Sequence, residues 1–147
     1  MSEAQTNPTE EELSQIRDSG PFILGGLSVG HSVFHWFAQS FFVMLPEVVA
    51  TFGLSGLQVG AISTTREVVS GLIALPGGVV TDLVRQHWGA VLATCMGLFG
   101  LGWLIMGIAP GYFVLLIGMA VVAVAASMWH LPAAAALSRR FADRKGT

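Results

Sequence analysis

Four long apolar stretches decide what this 147-residue chain can fold into. They cover 21–50, 55–80, 88–109 and 111–137, and hold only three charged residues, Glu47, Arg66 and Glu67. A helix rising about 1.5 Å per residue needs roughly 20 apolar residues to cross some 30 Å of hydrocarbon, and each stretch supplies them. Backbone amides find no water in lipid, so only helices or closed barrels cross it. The length of the stretches and their lack of period-2 alternation select helices. The expected fold is all-α, a polytopic membrane bundle of four transmembrane helices. The expected organisation is a polar tail over 1–20, a membrane region over 21–138 with helices at about 21–50, 55–82, 88–109 and 111–138, and a basic loop over 139–147.

The remaining charges give the orientation. Arg17 precedes the first span, Arg85 lies between the second and third, and Arg139, Arg140, Arg144 and Lys145 follow the fourth. The two other connections carry no Lys or Arg. Threading the chain back and forth gathers every basic segment on one side, which the positive-inside rule makes the cytoplasm, with both termini there. The acidic excess comes from the first 18 residues. That tail lacks the basic and short apolar regions of a secretory signal peptide. It reads as a disordered lead-in with a short helix at 9–17, where Thr9 and Glu12 fit a capping box. Basic residues are too few for nucleic-acid binding. The single cysteine, Cys95, excludes an intrachain disulfide and reads as a small packing residue. The run from Ser138 to Thr147 resembles a linker toward a further helix.

Polar groups inside the spans are the functional candidates, because placing them in lipid is expensive. Arg66 and Glu67 fall near the middle of the second span. They point about 100° apart, so each needs a partner on another helix or a water-filled cavity. A cavity arginine suits an anionic group on a substrate, and a membrane glutamate can carry a proton; the competing reading is a structural ion pair. Ser28, His31, His35 and Gln39 are spaced i, i+3, i+7 and i+11 and form one stripe on the first span. His31 and His35, one turn apart, can relay protons or can be hydrogen-bonded interior histidines. Ser127 and His130 form a second polar face on the fourth span. Glu47 reads as an interfacial residue, Trp88 as part of an aromatic belt, and the Phe34, Phe37, Phe41 and Phe42 group as packing or lipid contact. Glycines at 26 and 30, at 56 and 60, and at 97, 100, 102 and 107 offer close-packing faces.

The second span ends Pro76-Gly77-Gly78-Val79-Val80-Thr81-Asp82-Leu83-Val84-Arg85. Gly78 and Asp82, four apart, resemble the loop between helices 2 and 3 of the major facilitator superfamily of transporters, although Arg85 stands where that pattern has glycine. Leu83, Gln86 and His87 stand where that pattern has basic residues. Gly30-His31-Ser32-Val33-Phe34-His35-Trp36 resembles the first helix, and His130-Leu131-Pro132-Ala133 the fourth, of bacterial fosmidomycin-resistance-like members. The resemblance covers 21–146. It implies a twelve-helix fold of which this chain supplies the first four helices, and a conformational role for Gly78, Asp82 and Arg85.

The expected function is a segment of a secondary active transporter in the inner (plasma) membrane, moving a small organic solute or drug by alternating access. Titratable groups without an ATP-binding motif point to proton coupling. The expected substrate and proton pathway comprises His31, His35, Gln39, Arg66, Glu67 and His130. The partners are the lipid bilayer, the solute, protons, and the remaining transporter helices or a second chain. No catalytic, metal or cofactor site is assigned, and the chain reads as a non-enzyme. The alternatives are a small four-helix oligomeric or partner-dependent subunit, a non-transporting scaffold, and a haem-binding bundle with axial ligands drawn from His31, His35 and His130.

Overall fold

The computed structural model describes residues 9–141, which are all-helical with short connections. Arg144 and Lys145 lie outside the described residues. Helix α1 (Glu10–Arg17) leads into α2 (Gly20–Phe52), α3 (Gly56–Leu83), α4 (Trp88–Gly107) and α5 (Tyr112–Arg140), with one 3-10 turn at Arg85–His87. Helices α2, α4 and α5 are long and apolar enough to cross a membrane. At 28 residues α3 is also long enough, but Arg66, Glu67 and the hydroxyl residues around them lower its apolar character. The chain is a multi-pass membrane protein. Its outward apolar side chains contact lipid, with Val43 81 %, Leu57 85 % and Phe113 79 % exposed.

Local chemistry sets the helix ends. The capping box expected at α1 forms: the Glu12 carboxylate accepts from the Thr9 backbone N–H at 2.7 Å and hydroxyl at 3.1 Å. Ser55 and Gln58 repeat the device at α3. Gly53, at φ 59°, turns the chain out of α2, and the Leu54 N–H closes onto the Val49 carbonyl at 3.1 Å. At the far end of the bundle the Trp88 indole donates to the Thr81 carbonyl at 3.3 Å, and the Arg139 guanidinium lies 5.1 Å from the Trp88 ring centroid. This agrees with an amphipathic belt position for Trp88.

Accepting two bonds from Thr9 favours the ionised form of Glu12 and holds its carboxyl below the ordinary value of about 4.3. A depressed folded pKa means that the cap stabilises α1 above the unfolded value and loses that contribution as pH falls through the folded one. An NMR titration of the Glu12 side chain is expected to give a midpoint below that of a Thr9→Ala variant. Equal midpoints would show that the capping box does not hold in solution.

Helix α5 is the hub. It packs along α4 and α3, and more lightly against α2. Helices α2 and α3, joined by the short turn at 53–55, make few close backbone approaches to each other, and α3 packs instead on α5. The reason lies in the glycines. A Cβ at Gly77 would collide with the Leu131 side chain of α5. On α4, a Cβ at Gly102 would come within 2.9 Å of the Val122 backbone N, and one at Gly118 within 2.9 Å of the Gly102 carbonyl oxygen. These two glycines let the α4 and α5 backbones touch. Gly26, Gly56, Gly60, Gly97, Gly100 and Gly107 meet nothing within 4 Å, so of the two GxxxG pairs only Gly30 sits at a contact, against Trp129. Trp129 is buried with Phe34 and Phe99, their rings 4.1 to 5.1 Å from that of Phe34. Cys95 is buried as a small packing residue.

Candidate functional site

The divergence of α2 from α3 opens a cavity of about 630 Å³, floored by α5. Helix α2 contributes His35, Gln39 and Phe42, α3 contributes Arg66, Glu67 and Ser70, and α5 contributes Ser127 and His130. Five of the six pathway residues expected from the sequence therefore meet on one wall-to-wall space. The sixth, His31, lies beside them, its ring centroid 4.5 Å from His35 and 5.5 Å from His130. Ser28 and His31 border a second groove of about 400 Å³, nearer the Leu24 and Leu137 end of the bundle, and His130 borders both spaces. The histidines thus stand between the two.

Arg66 is half-buried and Glu67 exposed. Neither has an ion-pair partner among the described residues. The Arg66 guanidinium instead lies 5.8 Å from the Phe42 ring centroid. That contact holds a cation at the cavity edge with its donors free for an anion. The lining is apolar with a few convergent polar groups, the general composition of a small-molecule site.

The fold brings His130 of α5 level with His31 of α2, their ring centroids 5.5 Å apart. The His130 Nδ1 donates to the Ala126 carbonyl of the preceding turn at 2.6 Å. That bond ties the ring to α5 and leaves Nε2 as the nitrogen without a backbone partner.

The signature residues lie elsewhere. Gly78 and Asp82 are exposed near the C-terminal end of α3, about 12 residues or roughly 18 Å from Arg66 at Gly78. Arg85 starts the 3-10 turn. The glycine that meets α5 is Gly77, one position before the motif's own, and the buried Thr81 hydroxyl donates to the Gly77 carbonyl at 2.8 Å.

Phe42 and Ser70 are site residues that the sequence reading missed. Phe42 extends the polar stripe of α2, three positions beyond Gln39, and Ser70 lies one turn beyond Arg66. Periodicity carried both signals, but an aromatic at a stripe position reads as packing and a serine in a span as a filler.

No family model matches the chain, and no solved structure matches it. It is 26 % identical over 108 residues to the fosmidomycin resistance protein of Escherichia coli (strain K12), a match covering 74 % of this chain and 26 % of that protein. The chain thus spans about a quarter of the length of the curated relative it resembles.

Proposed function

We propose that this chain forms part of a secondary active transporter of the major facilitator type, and that the cavity between α2, α3 and α5 is a portion of its substrate path. The observation that carries this reading is the meeting of His35, Gln39, Arg66, Glu67 and His130 around one membrane-level space. Arg66 recognises an anionic group on a small organic solute or drug. Glu67 and the histidines exchange protons between that space and the second groove, which couples movement of the solute to the proton gradient. Helix α3 also crosses the membrane, as the second of four spans, its polar middle tolerated because it faces the cavity. The basic segments lie in the cytoplasm and the protein in the inner membrane. Gly78, Asp82 and Arg85 form a conformational loop, and the chain is not an enzyme. The lightly packed α2, with Trp36 75 % exposed, is covered by further transporter helices or a second chain.

The relative's name supplies a probe. In an efflux-deficient bacterial host, the protein is expected to lower fosmidomycin accumulation, and an uncoupler is expected to restore it. Accumulation that is the same with and without the protein, for fosmidomycin and for a panel of organic anions, would end the transporter reading. A drop that survives the uncoupler would remove proton coupling from it.

A further inference from the structure

We propose that His31, His35 and His130 bind one divalent transition-metal ion, Zn²⁺ first among them, in a three-imidazole site that clamps α2 to α5. The proposal goes beyond the transport reading and does not depend on it; with the ion bound the three imidazoles are occupied and proton exchange falls to Glu67 alone. One ring nitrogen from each histidine lies within 4.8 Å of those from the other two. A tetrahedral Zn²⁺ with bonds of about 2.0 to 2.1 Å holds its nitrogen ligands roughly 3.3 Å apart. Small rotations about the side-chain bonds of exposed rings close that difference.

Three independent features favour an ion over a stack of interior histidines. First, His31 and His35 stand at i and i+4 on α2, the spacing by which two helical imidazoles reach one metal. Second, the third ligand comes from another helix, which gives a chelate that one helix cannot make alone. Third, the 2.6 Å bond from His130 Nδ1 to the Ala126 carbonyl is the outer-shell contact that orients a metal-bound histidine and leaves Nε2 as its donor. The absence of thiolate or carboxylate from the cluster matches an ion of borderline softness rather than Mg²⁺ or Ca²⁺. The His31 ring lies against both of the others, 4.5 Å from that of His35 and 5.5 Å from that of His130, which fits a single ion and leaves no slot for a macrocycle between His31 and either neighbour. Three protein ligands also leave one coordination position for water or an anionic group.

The test uses the untagged protein in detergent micelles, dialysed against micromolar ZnCl₂. The wild type is expected to retain one Zn²⁺ per chain and to melt at a higher temperature with the metal than without it. His31→Gln and His35→Gln, at exposed positions with no hydrogen bond to lose to the backbone, are expected to weaken Zn²⁺ binding at least about tenfold, the lower end of the loss from disturbing a metal site. His130→Gln is expected to do the same with its helical circular dichroism unchanged. His87→Gln, remote from the cluster, is expected to bind as the wild type does. Three results overturn the proposal: no retained Zn²⁺ in the wild type, retention unchanged in both His31→Gln and His35→Gln, or equal loss in His87→Gln. Transport is not part of the readout, so failure of the metal site and failure of the transport reading are separate results.

Discussion

Gly118→Leu is expected to break the α4–α5 hairpin. A leucine there would push into the Met106 side chain and, more decisively, into the Gly102 carbonyl and the Met106 backbone N, 2.9 and 3.0 Å from the new Cβ. A flexible side chain can move aside, but helix backbone cannot without separating the two helices. Overpacking a tight core costs about 1–3 kcal/mol, and a clash with backbone lies at or above the top of that range. Gly102→Leu meets the same wall from the other side, against the Val122 backbone N. Gly100→Leu, two residues away on α4 and facing open space, is the control. In an SDS unfolding titration the first two variants are expected to shift the midpoint far below the wild type, with Gly100→Leu close to it. Three equal midpoints would mean that the helices do not meet through these glycines.

The second large effect is expected at Arg66. Arg66→Gln is expected to lower solute flux at least about 30-fold, near 2 kcal/mol, because a charged hydrogen-bonding partner is removed from a water-poor site. Arg66→Lys keeps the charge but loses the planar fork and the face-on contact with Phe42, so an intermediate loss is expected. Neither change should weaken the bundle, since Arg66 has no ion-pair partner among the described residues. Flux and unfolding midpoint therefore separate a binding role from a structural one. Unchanged flux in Arg66→Gln, with the protein correctly inserted, would take the anion site out of the cavity.

The helical membrane architecture was legible because the solvent imposes it: apolar length and the scarcity of charge leave a chain like this no other way to satisfy its backbone. The capping box at Thr9 and Glu12 was legible because it is local in sequence. The polar stripe of α2 was legible from the helical period, which fixes which residues share a face. The same period cannot say what the face meets. That α3 would pack on α5 rather than along α2 depends on Gly77 fitting Leu131, a shape relation between residues 54 positions apart. For the same reason the two GxxxG pairs attracted notice while Gly118, outside any motif, meets the α4 backbone as closely as Gly102 meets that of α5. The placement of the three imidazoles together is a tertiary fact.

The central position of α5 also has a consequence for biogenesis. Helices α2 and α3 are synthesised first but, among the described residues, make their main contacts only when α5 has entered the membrane. Until then Arg66, Glu67 and the histidines have no cavity to face, and the nascent chain holds them within the insertion machinery or beside lipid. The α4–α5 hairpin is the short-range unit that can assemble first, after which α3 docks on it through Gly77. A ribosome stalled before Tyr112 emerges is thus expected to leave α2, α3 and α4 without their organising surface, a stage open to quality-control proteolysis.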